Sequence, residues 1–167
     1  MKRELVHPDD AIAIIQSALV KPECEVVPLA RALGRVLPYE LRSSIDQPPF
    51  DKAAMDGWAW KRDGLSWIPQ QKLRACGSVA AGADSAQTVG FGECVRVMTG
   101  ASVPKGADCI QRFEWSEEES GLVTFTKAEH EDNIIQRGAN VRAADILLHP
   151  GVLKAQDIAI LAADGQA

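Results

Sequence analysis

Residues 94–98 read Cys-Val-Arg-Val-Met, and this short alternating stretch decides the class of fold. Along a β-strand, Val95 and Val97 face one side and Arg96 and Met98 face the other. Short strands at regular spacing favour a small antiparallel barrel or sandwich. Similar strands, separated by glycines and other turn residues, are expected at Trp67-Ile68, Lys72 to Ala75, Cys109 to Trp115 and Leu122 to Lys127.

The segments on either side of this β-rich region differ in pattern. Near the N-terminus, apolar residues recur at helical spacing after Pro8, which predicts an amphipathic helix with one apolar face. That face holds Ala11, Ile14, Ile15, Ala18 and Leu19. Residues 29–37 suggest a second short helix or turn, and residues 46–64 a structured loop. Toward the C-terminus, Ile146 to Leu148 reads as a short strand, and Ala155 to Ala163 as a helix that Gly165 ends.

This order of elements predicts an α+β fold in which one domain interrupts another. The first domain comprises residues 1–46 together with 134–167, and the inserted β domain comprises residues 47–133.

Composition excludes several classes of protein. With 167 residues, 46% of them hydrophobic and 25% charged, the chain is long and apolar enough to form a globular core. The net charge of −5 and the lack of a Lys/Arg cluster argue against nucleic-acid binding. The longest apolar run, Ile158 to Ala163, is far shorter than the about 20 residues of a membrane span. We therefore expect no membrane partner.

The N-terminus and the cysteines indicate where the protein works. The first ten residues lack the apolar core of a signal peptide. The four cysteines are scattered without a C-x-x-C pair, so they predict neither a zinc site nor a disulfide framework. We expect a reducing, cytoplasmic environment.

The first candidate functional segment is the loop from Gln47 to Trp60. Its prolines stiffen the entry, and Asp56-Gly57 is a turn signal. A loop that is pinned by apolar side chains and carries a carboxylate can position a proton acceptor or a metal ligand. The alternative is an aspartate that caps the backbone of its own β-turn.

The second candidate is the loop from Met98 to Asp108, which follows a strand and is rich in small residues. Thr99 and Ser102 offer hydroxyl groups, and glycines such as Gly100 let a ligand approach the backbone closely. Such a loop can hold an oxyanion. The alternative is a simple connecting turn, and neither loop alone names a reaction.

Together these loops resemble the molybdenum-insertion family of molybdopterin cofactor biosynthesis, which includes the E domain of gephyrin. The resemblance spans nearly the whole chain in the same order, and its second and third stretches are long and specific. The matching stretches are Ala32-Leu-Gly-Arg-Val-Leu37, Pro49-Phe-Asp-x-x-Ala-Met-Asp-Gly-Trp58, Arg96-Val-Met-Thr-Gly-Ala-x-x-Pro-x-Gly-Ala-Asp108 and Gly138-x-Asn-Val-Arg142.

The resemblance implies a molybdopterin molybdenumtransferase. Such an enzyme inserts molybdate into adenylylated molybdopterin (molybdopterin-AMP) and releases AMP, with magnesium as the divalent cation. It also implies a homodimer with an elongated α/β linker and dimerisation domain. By the same resemblance, Asp56 and Thr99 line the catalytic cleft, Asp56 is a candidate metal ligand, and Gly57, Gly100 and Ser102 contribute to cofactor binding.

Three departures from the family pattern limit which of the family's residue roles can be assigned to this chain. Lys52 and Ala53 replace Asn-Ser beside the candidate aspartate, and Trp58 replaces a tyrosine. The family carries a Gly-Glu-Asp stretch after the fourth matching stretch, and the residues that would hold it are missing here. Asp145 could replace the family's aspartate as a metal ligand only if it aligns with that aspartate and not with a residue beyond the gap. The sequence also stops at Ala167, where the family continues into a nucleotide-binding domain.

Three hypotheses follow. The chain is the N-terminal portion of the transferase and inactive alone; or it is a non-catalytic dimerisation or assembly module of the same pathway; or, independently of the family, it is a small β-domain ligand-binding protein.

Overall fold

The computed structural model describes residues 5–19, 23–62, 71–83 and 86–166. The Trp67-Ile68 strand expected from the sequence lies outside these residues. No helix in the described ranges is both long and apolar enough to cross a membrane. In chain order the elements are α1 (Pro8–Ala18), a 3-10 turn (Leu29–Arg31), β1 (Val36–Leu37), β2 (Leu41–Arg42), β3 (Lys52–Ala53), β4 (Gly57–Trp60), β5 (Lys72–Val79), β6 (Glu93–Val97), β7 (Cys109–Arg112), a second 3-10 turn (Phe113–Trp115), β8 (Ser116–Glu119), β9 (Leu122–Phe125), β10 (Ile134–Ile135), β11 (Ile146–Leu148), β12 (Gly151–Val152) and α2 (Ala155–Ala163).

The chain divides into two compact units. One lies within Met1–Tyr39 and Pro150–Ala167, and the other is Glu40–His149. The boundaries expected from the sequence, at 46/47 and 133/134, both fall inside the second unit, and as domain boundaries they stay a prediction.

The first unit holds both α-helices and the antiparallel β1–β12 pair. Helix α2 has the bounds expected from the sequence; Asp157 accepts a hydrogen bond from the Lys154 N–H at 2.7 Å at its start, and Gly165 adopts φ +82° after its end. Helix α1 also forms, but none of its residues is buried. The predicted helix is confirmed, and its apolar side chains Ile14 and Ile15 are exposed in the described part of the chain.

The second unit is built on a six-stranded sheet with strand order β7-β4-β6-β5-β9-β8. Four of its five neighbouring pairs are antiparallel, whereas β5 and β6 run parallel. The sequence predicted only antiparallel strands, because alternation with period two is the same in both kinds of pair. In the described residues the fold is mostly sheet, with two α-helices.

Each face of this sheet carries its own hydrophobic core. One face is covered by loop residues, with Ala59, Val95 and Ile110 fully buried. On the other face the buried side chains all come from strands of the sheet itself: Trp58, Trp60, Leu73, Cys94, Cys109, Val123 and Phe125. A sheet can bury one face against itself only by curling.

Side-chain hydrogen bonds connect strands that are far apart in the sheet order. Trp58 Nε1 of β4 donates to Ser116 Oγ of β8 at 3.1 Å, although three strands separate them. Gln111 Nε2 of β7 donates to the carbonyl of Lys127, just beyond β9, at 3.1 Å. These bonds bring the two edges of the sheet together, and closure into a full barrel or sandwich stays a prediction.

Strand β4 corrects a second expectation. The sequence read residues 46–64 as a loop, yet Gly57–Trp60 forms a strand within the sheet and all four residues are buried. Gly57 opens that strand, so Asp56-Gly57 is not a turn that needs a positive φ. Burial on both faces removes the alternation by which a strand is usually detected.

Candidate functional site

The two candidate loops lie side by side in the structure. Gly100 N–H donates to the Ala53 carbonyl, and Ala53 N–H donates to the Ala101 carbonyl, both at 2.9 Å. The Val103 N–H donates to the Asp51 carbonyl at 2.9 Å. Because backbone groups form all three bonds, the pairing does not depend on the side chains that differ from the family pattern.

Asp56 and Thr99, the two predicted catalytic residues, are in direct contact. Gly57 at the start of β4 pairs with Val97 at the end of β6, and the strands are antiparallel. The residue before one strand and the residues after the other therefore meet at one end of the sheet. Asp56 Oδ1 accepts two hydrogen bonds at 2.7 Å, one from Thr99 N–H and one from Thr99 Oγ–H.

These hydrogen bonds hold the carboxylate in its charged form. The pKa of Asp56 is lowered, mainly by the Thr99 backbone N–H, then by its hydroxyl, with a smaller contribution from the charge of Arg96. The guanidinium of Arg96 lies 4.7 Å from the centroid of the Phe113 ring. Asp56 is thus an anion at neutral pH, able to accept hydrogen bonds or bind a cation but not to donate a proton.

The geometry changes the role expected of Thr99. A threonine hydroxyl has one proton, and here it is donated to Asp56. Donation to an oxyanion would require that bond to break. In this arrangement Thr99 positions Asp56, and only the lone pairs of its hydroxyl stay open to other donors.

Three residues were expected to bind the cofactor. The backbone geometry accounts for the two glycines among them, whereas no contact in the structure indicates a ligand at the third. A Cβ on Gly57 would lie 2.2 Å from the carbonyl oxygen of Gln111, so this glycine permits the close approach of β4 and β7. Gly100 adopts φ +86°, which favours glycine in its turn. Ser102 forms a backbone bridge with Lys52, and its role as a ligand stays a prediction.

The fourth family stretch is fastened to the start of the first loop. Gly138 N–H donates to the Pro48 carbonyl, and Asn140 N–H donates to the Gln47 carbonyl, each at 2.9 Å. Asp46 accepts from Ala143 N–H at 2.9 Å and pairs with Arg137; the pKa of Asp46 is lowered, chiefly by the backbone bond.

Asp145 is held in a different turn. Its Oδ2 accepts the Arg142 N–H at 2.8 Å, and its carbonyl accepts the Ser43 N–H at 2.9 Å. None of the hydrogen bonds seen in the described residues links Asp145 to Asp56 or Thr99. Its assignment as a metal ligand stays a prediction.

The residues that the structure describes do not offer a full magnesium site on their own. Within residues 5–19, 23–62, 71–83 and 86–166, no group of three or more His, Cys, Asp or Glu side chains could hold a metal ion. Asp56 contributes one carboxylate, and one oxygen of it is already bonded to Thr99. A hard divalent cation takes about six oxygen ligands, so most would have to come from elsewhere.

Asp56 borders an open cleft of about 510 Å³ that the sequence did not reveal. Its lining residues are Met55, Asp56, Arg112, Glu114 and Trp115. The last three belong to a segment that the sequence predicted as one strand, Cys109 to Trp115. The strand instead ends at Arg112, and a 3-10 turn follows it. The available signal was the run Phe-Glu-Trp directly after Arg112, where the alternation of the strand stops.

Comparison with known proteins agrees with this arrangement. Residues 6–165 match the family model described as the MoeA N-terminal region (domain I and II). The chain belongs to the MoeA family. The matched residues include both loops and the stretch Gly138 to Arg142, so the resemblance noted from the sequence is confirmed.

Two relatives and one solved structure of the MoeA family illustrate the match. The molybdopterin molybdenumtransferases of Staphylococcus epidermidis and Staphylococcus aureus are each 31% identical, over 98% and 99% of this chain and 40% and 41% of their own length. The crystal structure of the MoeA molybdopterin biosynthesis protein of Pyrococcus horikoshii superposes with a TM-score of 0.90 at 29% identity. It covers 97% of this chain and 43% of its own. The chain therefore spans about two fifths of the length of these relatives.

Proposed function

We propose that this chain is the N-terminal portion of a molybdopterin molybdenumtransferase and forms one wall of its active site. The proposed reaction inserts molybdate into adenylylated molybdopterin and releases AMP. The observation that carries the proposal is the Asp56 carboxylate, fixed by Thr99 at the border of a cleft. It is supported by relatives named molybdopterin molybdenumtransferase.

The proposed chemistry suits a fixed anion. Cleavage of a phosphoanhydride requires that charged groups and the attacking species be held in position. Asp56 keeps Oδ2 as an acceptor while Thr99 holds Oδ1, so it can orient a bound substrate or contribute one ligand to a cation. Homodimer formation, magnesium as the cation and a cytoplasmic location belong to the same proposal. The cytoplasmic location is supported by the four cysteines, which are all free.

The test is Asp56→Asn in the full-length enzyme to which this chain would belong. We expect about a 100-fold loss of AMP release with molybdate, because the variant loses the anionic acceptor. Asp10→Asn, the same chemical change on the exposed start of α1, is the matched control and should keep wild-type activity. Thermal melting checks that both variants fold. Wild-type AMP release by Asp56→Asn would refute the proposal.

A second candidate is a non-catalytic dimerisation or assembly module of the same pathway. The observation that favours it is the exposed apolar surface of α1, which no described residue covers. This candidate predicts that Asp56→Asn leaves function unchanged, whereas polar substitutions of the exposed apolar residues Ile14 and Ile15 of α1 impair it.

A further inference from the structure

Arg112 borders the cleft beside Asp56, and its guanidinium is held in one orientation. It donates from Nε and from Nη2 to the two carboxylate oxygens of Glu129, at 2.8 and 3.1 Å. The Glu129 side chain is only 4% exposed, and the guanidinium carbon of Arg112 lies 4.0 Å from the centroid of the Trp115 ring. A bidentate ion pair in the plane and an indole on one face therefore fix this guanidinium.

The bonds to Glu129 leave most of the donors of Arg112 unused. A guanidinium carries five N–H donors, of which two point at Glu129 and three have no partner among the described residues. The indole N–H of Trp115, which also lines the cleft, shows no hydrogen bond in the part of the chain that the structure describes. Arg112 and Trp115 together thus offer four N–H donors, and such a set suits an oxyanion with several acceptor oxygens.

The carboxylates of the cleft lining, Asp56 and Glu114, are offset by nearby cations. Lys127 lies 5.6 Å from the centroid of the Trp115 ring, and the positive charge of Arg96 acts on Asp56, whose pKa it helps to lower. Glu114 is exposed, so water screens its repulsion of an anion. A free oxyanion should therefore bind in this cleft, but weakly.

Neither the family resemblance nor packing accounts for Arg112. It lies beyond the third matching stretch, which ends at Asp108. A residue that only linked β7 to the buried carboxylate of Glu129 would not need a guanidinium, because a lysine can pair with a carboxylate as well. What a guanidinium adds is a planar fork of further donors, and at Arg112 these border the cleft.

We propose that Arg112 binds a tetrahedral oxyanion of the substrates, a phosphoryl group or molybdate, through its unused N–H donors, with the Trp115 indole N–H as a further donor. Glu129 and the Trp115 ring hold the guanidinium in place for this contact. The inference rests on the proposed function, because both oxyanions are reactants of the proposed reaction. It adds a cationic contact to the wall on which Asp56 provides the anion.

The test is an NMR titration of the 167-residue chain with inorganic phosphate and, separately, with molybdate. The indole N–H signal of Trp115 is the reporter, and we expect a saturable shift with at least one of the two ions. Arg112→Lys should weaken that binding about tenfold, because lysine keeps the charge that pairs with Glu129 but loses the planar fork. Arg74→Lys, the same change in the Arg74–Glu93 pair of the same sheet, is the matched control and should bind as the wild type does. The ion whose binding depends more strongly on Arg112 identifies the source of the oxyanion.

A second variant tests the same contact without an unpaired buried charge. Arg112→Gln combined with Glu129→Gln removes both members of the ion pair, and thermal melting checks that the variant folds. It should show no saturable shift with either ion. The inference is wrong if the wild type shows no saturable shift, or if either variant folds and binds as the wild type does. Equal weakening by Arg74→Lys would also overturn it, since the ion would then not be recognised at Arg112.

This result is separable from the proposed function, because the titration does not depend on AMP release. Loss of AMP release in Asp56→Asn together with unchanged binding of both ions by Arg112→Lys refutes only the inference. Wild-type AMP release by Asp56→Asn together with binding that depends on Arg112 refutes only the proposed function.

Discussion

Strand β4 and helix α1 are both rich in apolar side chains, yet they end in opposite environments. In β4 the side chains of Trp58, Ala59 and Trp60 are buried on the two faces of the sheet. In α1, which has a regular apolar periodicity, no residue is buried. Periodicity reports that one face of an element is suited to burial. It does not report whether the partner surface belongs to the same chain.

The largest effect that separates these two regions is expected from Trp60→Ala. Trp60 is 4% exposed and packs edge-to-face on Phe125, with ring centroids 5.1 Å apart. Its removal leaves a large cavity within a core built from the strands of the sheet, so we expect the free energy of unfolding to fall by about 4 kcal/mol. Urea denaturation followed by circular dichroism measures it. A loss below about 1 kcal/mol would show that β4 is not central to the core.

The sequence predicted those elements whose pattern depends only on local chemistry. Helix α2 and strand β11 were predicted with their bounds, since capping residues, Pro and Gly mark their ends. Strand β4 was missed because burial on both faces hides alternation. The parallel β5–β6 pair could not be predicted, because strand direction is set by the path of the connecting loop and not by the strand's own residues.

The candidate site was predicted only in part, because contacts between residues far apart in the sequence decide which side chains meet. Asp56 and Thr99 were selected separately, and their contact across 43 residues depends on the register of β4 with β6. The cleft residues Arg112, Glu114 and Trp115 were missed, because a change from strand to 3-10 turn within one short segment sets their positions. Long-range register and local breaks in a strand leave little trace in one sequence.

A smaller effect is expected at the start of β4 from Thr99→Val. This variant loses the hydroxyl donor but keeps the backbone N–H, which lowers the pKa of Asp56 most. The pKa of Asp56 should therefore rise part of the way toward its ordinary value. Carboxyl-carbon NMR titration measures this, with Thr126→Val on an exposed turn as the control. An unchanged pKa would mean that the hydroxyl does not bond Asp56 in solution.

The same variant has a defined dependence of stability on pH. A carboxyl whose folded-state pKa is lowered stabilises the fold above its unfolded-state pKa, and this contribution is lost as the pH falls through the folded-state pKa. The variant should accordingly be less stable than the wild type at neutral pH. The difference should disappear in acid below the folded-state pKa of Asp56. A difference that persists unchanged in acid would point to lost packing instead of lost hydrogen bonding.

The smallest effect on stability is expected on α1, from the double variant Ile14→Ser and Ile15→Ser. These side chains are 58% and 62% exposed, and serine has a helix propensity close to that of isoleucine. At concentrations where the chain is monomeric, the free energy of unfolding should change by less than about 0.5 kcal/mol, as it should for the control Gln16→Ser. If α1 contributes to the proposed homodimer, sedimentation velocity should show that only the double variant dissociates more readily. A loss of stability in the monomer would instead mean that α1 buries its apolar face within its own chain, and the contrast with β4 would fail.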